Sequence, residues 1–398
     1  MTINNEHNKL NVPNLRFPEF EGEWEEHYLS DYLDFKNGLN PKPDKFGKGI
    51  KFISVMDILN NAVITYDCIK ASVDVTEKEL SDFSVEKGDI LFQRSSETLE
   101  DVGRANAYMD DKTAVFGGFV IRGKKKGEYD PQYFNYLLRS PFARKRIIPM
   151  GAGAQHFNIG QEGLSKVKLH FANIEEQNKI GKMLSLLDER ISIQSKVIED
   201  LKKLKCAIIE KLYAEVKGTK YSYRQLFNII NERNKQLEYS NVLSASQEKG
   251  MVSREDLNLD IQFERSNINA YKIVRNGDYV IHLRSFQGGF AFSEKTGVCS
   301  PAYTILRPNG LLVYGYLSNY FTSRDFVKSL IIVTYGIRDG RSINVDEWLD
   351  MKVVIPSKEQ QSHIVNAIKS IENKIKNEET HSNCLLNQKQ YLLRQMFI

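Results

Sequence analysis

Glu175-Glu176-Gln177-Asn178-Lys179-Ile180 and Glu359-Gln360-Gln361-Ser362-His363-Ile364 stand 184 residues apart and open two stretches that align without a gap to the end of the chain. Under this shift Leu184 falls on Ile368, Leu187 on Ile371, Ile191 on Ile375, Ile208-Ile209 on Leu392-Leu393, Leu212 on Met396 and Tyr213 on Phe397. Apolar residues in the first stretch recur alternately every four and three positions, which is the seam of a coiled coil. The seam runs Ile180, Leu184, Leu187, Ile191, Gln194, Ile198, Leu201, Lys205, Ile208, Leu212. Its repeat is Ile364, Ile368, Ile371, Ile375, Glu378, Ser382, Leu385, Lys389, Leu392, Met396. The polar members lower stability and can fix register.

Upstream the repeat continues with small changes of offset, as loops of unequal length require. Val85-Glu86-Lys87-Gly88-Asp89-Ile90 answers Val274-Arg275-Asn276-Gly277-Asp278-Tyr279, Tyr133–Leu138 answers Tyr316–Phe321, and Asn158-Ile159 answers Asn344-Val345. The chain is therefore two copies of one unit, a globular domain followed by a helix. Residues 1–22 are read as an N-terminal segment, 23–173 and 218–357 as the globular domains, and 174–217 and 358–398 as the helices.

Connectivity predicts the arrangement. Only Ala214–Lys220 joins the first helix to the second domain, so that domain is expected at the helix's far end. Domain termini usually lie close together, which sends the second helix back antiparallel to the first. Helices of about 39 residues then span roughly 58 Å at ~1.5 Å per residue, or about 17 base pairs of duplex at ~3.4 Å each. The expected fold class is α+β: two similar mixed α/β domains separated by an antiparallel coiled coil, with a pseudo-two-fold internal repeat.

Within each domain short strands are predicted at Phe52–Val55, Asp89–Phe92, Phe119–Ile121 and Val167–Leu169, and at Tyr279–His282, Tyr303–Leu306 and Val353–Ile355 in the second copy. Tyr133–Leu138 with Phe142–Ile147 predicts a helical pair, and Gly-Asp at 88–89 and 277–278 predicts tight turns. After the central strand of each copy comes a polar loop carrying Arg94, Ser95 and Ser96 in the first, and Arg284, Ser285 and Gln287 in the second. Arginine bonds the O6/N7 edge of guanine in a bidentate way, glutamine that of adenine, and serine either. A second recurrent Gly-containing segment carries Gln155 and His156, then Arg338 and Arg341; its alternative reading is a glycine turn with solvated polar residues. Arg144-Lys145-Arg146 and Lys124-Lys125-Lys126 read as backbone contacts or exposed faces.

Composition limits the remaining classes. The 398 residues carry 55 Lys+Arg against 51 Asp+Glu, a formal net charge of +4, so any nucleic-acid surface must be local. Cys68, Cys206, Cys299 and Cys384 form no C-x-x-C pair, which argues against a zinc site or a disulfide framework. No apolar run reaches the roughly 18 residues of a membrane span, and MTINNEHNKLNVPNLRFP lacks the apolar core of a signal peptide; a cytoplasmic protein is expected. Walker A, H-E-x-x-H, EF-hand and G-x-S-x-G signatures are not found, so neither a catalytic residue nor a metal site is assigned. Ser300-Pro301-Ala302-Tyr303 only faintly matches the tetrapeptide of amino-methylating DNA methyltransferases, and Asp200 with Lys202 lacks the partner acid of a nuclease.

The order domain, helix, domain, helix resembles the specificity subunit of type I restriction-modification enzymes. So do the opening Val12-Pro13-Asn14-Leu15-Arg16-Phe17-Pro18-Glu19-Phe20-Glu21-Gly22-Glu23-Trp24 and the succession of a late strand, Pro356 and Glu359-Gln360-Gln361. In the first copy Ala172 replaces that proline. The resemblance implies a non-catalytic DNA-recognition subunit whose two target-recognition domains each read half of a split, asymmetric site in double-stranded DNA. It further implies two modification (methyltransferase) subunits and restriction subunits as partners, with S-adenosylmethionine, ATP and Mg held by those partners rather than by this chain. A recognition subunit of another methylase-nuclease system, or a coiled-coil scaffold binding only protein, is the alternative.

Overall fold

The computed structural model describes residues 11–153, 155–246, 249–254, 265–282, 289–335 and 342–398. The chain divides into two units. Unit one holds the described residues up to Ser195 together with Thr380–Ile398, and unit two is Lys196–Glu379. Each unit thus takes part of both long helices, Ile174–Ala214 and Lys358–Gln395.

Unit one is built on an antiparallel four-stranded sheet in the order Leu33–Asn37, Val120–Lys125, Ile90–Gln93, Ala105–Ala107. All four residues of Ile90–Gln93 are buried because both faces are covered. The two-residue alternation of a strand sends Ile90 and Phe92 into a core with Tyr133, Phe134 and Leu137, and Leu91 into a second core with Ile53, Tyr108 and Phe116. Unit two repeats the scheme in the order Phe227–Ile230, Thr304–Pro308, Tyr279–Ile281, Phe290–Phe292. There Tyr279 and Ile281 face the core around Trp348, while Val280 faces a smaller one with Leu243 and Ile305.

Both Gly-Asp turns form as predicted. Gly88 and Gly277 have φ of +98° and +93°, values that favour glycine. The aspartate after each closes the turn: Asp89 accepts from Glu86 N at 3.0 Å and Asp278 from Arg275 N at 2.9 Å. Burial pushes the Asp89 carboxyl up, against the bonds it accepts from Glu86 N and Lys125 N. Helices Pro131–Arg139 and Pro141–Ile147 also form, each with proline in its first turn and a capping side chain, Asp130 and Ser140.

Most of the predicted strand boundaries shift, those of Phe52–Val55 and Phe119–Ile121 among them. The strand expected over Phe52–Val55 ends at Ile53, because Ser54 and Asp57 form a capping box that starts a helix at Val55. The strand expected from Phe119 starts at Val120.

The long helices run antiparallel inside each unit, as the numbering of the contacts shows. In unit one Ile180 and Leu184 share a core with Met396 and Phe397, and Lys389 pairs with Asp188 at 2.5 Å. In unit two Ile209 shares a core with Ile364 and Ile368, and Lys205 pairs with Glu372 at 2.6 Å. Asp188 and Glu372 are 184 residues apart, as are Lys205 and Lys389, so the same ion pair between the two helices is made once in each unit. Of the named seam residues, Ile180, Leu184, Gln194, Ile364, Ile368, Ile375, Leu385 and Met396 are buried. Leu187, Ile191, Ile198, Leu201, Ile371 and Leu392 are half-buried.

In each unit the start of one long helix and the end of the other are fastened to the domain by repeated contacts. Gln177 donates to Ala172 O and accepts from Asp130 N, and Gln361 donates to Pro356 O and accepts from Val313 N. At the far end Phe397 packs on Tyr133 with ring centroids 5.6 Å apart, and Tyr213 on Tyr316 at 5.5 Å. One contact has no counterpart at its repeat position. Glu176 is fully buried and accepts from Arg16 Nε at 2.8 Å, Arg16 Nη2 at 2.7 Å and Trp24 Nε1 at 3.2 Å, whereas Gln360 is exposed. This bond set ties the opening segment to the first long helix.

Candidate nucleic-acid interface

The central strand of unit one leaves its sheet at Arg94, which donates from its backbone N to Phe119 O at 2.9 Å and accepts from Ile159 N at 2.9 Å. The chain then pairs Ser95-Ser96 antiparallel with Phe157-Asn158. Reciprocal bonds between Ala152 and Asn158, at 2.9 and 2.8 Å, close the intervening turn. The two segments singled out in the first copy are therefore one ribbon. It brings Arg94, Ser95 and Ser96, all half-buried, beside Gln155 and His156, both exposed. Gly153 makes the turn possible: its φ is +147°, and a Cβ there would lie 2.0 Å from His156 O.

Several polar groups of the ribbon are already engaged. The Ser95 hydroxyl donates to Asn158 Oδ1, Ser96 Oγ accepts from Thr98 N at 3.3 Å, and the Arg94 guanidinium donates to Gly118 O at 3.4 Å. The Arg94 bond is long, leaving most of its five donors for a partner. Phe119, next to Gly118, is 69% exposed, an unusual position for a large aromatic side chain. It was missed by the sequence reading, which placed it inside a strand. The available signal was Gly117-Gly118: a Cβ on the second would lie 1.9 Å from Asn40 Oδ1, so the turn before Phe119 packs closely against that side chain.

Unit two repeats the frame. Tyr279–Ile281 and Phe290–Phe292 form a hairpin extended by His282 N donating to Gly289 O at 2.8 Å, and Thr334-Tyr335 pairs with Ser342-Ile343. Burial lowers the His282 imidazole below its ordinary pKa, which keeps it neutral at neutral pH. Arg284, Ser285, Gln287, Arg338 and Arg341 lie outside the described residues.

The three-residue run Arg144-Lys145-Arg146 is not uniformly an exposed face. Arg144 folds inward and donates to Glu100 O and Val102 O at 2.8 and 2.7 Å. Among the described residues no group of three His, Cys, Asp or Glu is placed to hold a metal ion, and no helix is long and apolar enough to cross a membrane.

Residues 21–203, which contain the whole ribbon, match the family model of the type I restriction modification DNA specificity domain. This part of the chain is similar to the type I restriction-modification DNA specificity domain. Curated relatives agree with that assignment. The putative MjaX specificity subunit of Methanocaldococcus jannaschii is 27% identical over 52% of this chain and 49% of its own length. The EcoKI specificity subunit of Escherichia coli is 24% identical over 35% of this chain and 29% of its own length. The chain thus spans about half the length of the first of these relatives and less of the second. Solved structures share the fold of the specificity domain and its repeat. The S subunit of a type I system from M. genitalium covers 97% of this chain, and 99% of its own is covered, at 15% identity and a TM-score of 0.55. The HsdS subunit from Thermoanaerobacter tengcongensis covers 94%, with 96% of its own covered, at 13% identity and a TM-score of 0.51.

Proposed function

We propose that this chain is the DNA-recognition subunit of a type I restriction-modification complex, reading a bipartite asymmetric target with one domain per half-site. The observation that carries the reading is the ribbon of unit one. Two polar segments more than fifty residues apart in sequence meet there around Arg94, and the strands that frame it recur in unit two. Arginine, serine, glutamine and an exposed phenylalanine suit base edges and thymine methyl groups in a major groove. Domains of one fold with different loop residues read unlike half-sites.

The paired helices act as spacer and as docking surface for two modification subunits, to which restriction subunits add. Leu186 and Ile193, two turns apart on one face of the first long helix in unit one, are each 55% exposed, which suits a protein partner. Methyl transfer, with S-adenosylmethionine, and cleavage, with ATP and Mg, belong to the partners.

Fluorescence anisotropy on labelled duplex, with the modification subunit present, tests this reading. Affinity falls steeply with salt if the chain recognises DNA. A complex that assembles but shows no salt-dependent DNA affinity would make the chain a protein scaffold.

A further inference from the structure

Unit one contains a second basic feature besides the ribbon. A pocket of about 420 Å³ is lined by Ile58 and Leu59, by Leu138 and Arg139 at the end of one helix, by Arg144 on the next, and by Arg104. Its arginines are unusual in what holds them. Arg139 donates to Ala105 O and Asn61 O, both at 3.2 Å, and Arg144 donates to Glu100 O and Val102 O. Neither has a carboxylate within ion-pair distance; Arg144 Nη1 is buried and has no hydrogen-bond partner. A buried guanidinium donor left unpaired is costly, and a water or an anion relieves it; the surplus of positive charge here favours the anion.

Arg104 stands on the rim with its side chain 51% exposed, paired with Asp101 at 2.5 Å. Glu100 also lines the pocket but is exposed, and its backbone carbonyl rather than its carboxylate meets Arg144. On the inner side Asp188 faces Arg139 and is engaged by Lys389 and the Tyr136 hydroxyl. The excess is cationic, with three arginines around one concavity and a single ion pair among them. Desolvation and the neighbouring Arg104 push Arg144 down to about 10, so it stays charged at neutral pH.

We propose that this pocket is a binding site for a phosphate group, which Arg104, Arg139 and Arg144 hold by charge-assisted bonds to its oxygens. A guanidinium fork matches phosphate geometry in a way that a lysine does not. Two sources present the same chemistry: a phosphodiester of the DNA flanking the first half-site, or a free phosphate compound. The site does not depend on the recognition role, because its first test contains no DNA.

Full-length chain is titrated with sodium pyrophosphate by calorimetry, against sodium chloride of equal ionic strength. The expected result is one pyrophosphate per chain, with affinity at least tenfold weaker in Arg104→Glu and in Arg144→Gln. Arg94→Ala is expected to bind pyrophosphate as the parent does. Arg104 is half exposed, so its variant folds; Arg144→Gln is the second probe. No pyrophosphate heat above the chloride control, or equal affinity in Arg104→Glu, overturns the site. A second arm identifies the source. If the ligand is duplex backbone, Arg104→Glu weakens DNA binding uniformly across sequences and lowers the salt slope by about 1. If pyrophosphate binding is lost while the salt slope is unchanged, the ligand is a free phosphate compound.

Discussion

Replacing Glu176 with alanine removes the acceptor of three hydrogen bonds at once and leaves a guanidinium and an indole N–H facing each other in unit one. Arg16 has only 11% of its side chain exposed and Glu176 none, so solvent does little to screen the pair. Its remaining bonds, to Gly22 O and Glu21 O, hold the guanidinium in place rather than letting it swing to water. Stranding one member of such a pair costs about 3–5 kcal/mol, and the orphaned indole adds about 1 kcal/mol. At an m-value of about 2 kcal/mol/M, the urea midpoint should fall by about 2–3 M. The chain has two tryptophans, Trp24 in unit one and Trp348 in unit two, so 5-fluorotryptophan NMR during the urea titration reads each separately. The Trp24 resonance should shift in the folded state, since its N–H bond is lost, and unfold earlier. Arg16→Ala and the double variant complete a cycle whose coupling should be about 2 kcal/mol or more. A loss below about 1 kcal/mol, or additive single effects, would refute the view that this bond set fastens the opening segment.

The repeat provides its own control in the helix seam. Asp188 is better covered than Glu372, with 13% against 41% of its side chain exposed, and Asp188 also accepts from Tyr136 Oη. Asp188→Ala should therefore cost about 2–4 kcal/mol and Glu372→Ala about 0.5–1 kcal/mol in urea denaturation; the reverse order would contradict the assigned geometry. Cysteine chemistry gives a further check. Cys206 and Cys384 are exposed on the long helices, whereas Cys299 is buried and its thiol pushed up to about 12. A raised thiol pKa means less thiolate, about one part in ten thousand at pH 8, so maleimide labelling followed by mass spectrometry should modify Cys206 and Cys384 and spare Cys299 until the protein unfolds. Equal labelling rates would show that the core around Cys299 is open.

The repeat and the seam were legible because helix period and internal self-similarity are properties of the sequence alone. The central strands, the Gly-Asp turns and the capped helix pair were legible for the same reason: each carries a local chemical signature. Ser54 and Asp57 had such a signature, yet the apolar run before them suggested a longer strand. The ribbon was half legible. Both segments were identified, but their pairing across more than fifty residues is a tertiary fact that no local pattern encodes. Phe119 and Glu176 were missed for opposite reasons. An aromatic residue beside Val120 and Ile121 reads as core, and a glutamate at the start of a helix reads as a solvated first-turn acid. Of the two readings of Arg144, only the exposed face fails, because a run of three cations conceals that one of them turns inward.

In the proposed function each repeat reads its own half of a split DNA target. Sequencing methylated adenines in cells that carry this chain with its modification subunit tests it most directly, with the parent and Arg94→Ala compared. Two short defined segments separated by a gap of unspecified bases are expected, with a change confined to one segment when Arg94 is replaced. A continuous motif, or an Arg94→Ala pattern altered in both segments, would contradict it.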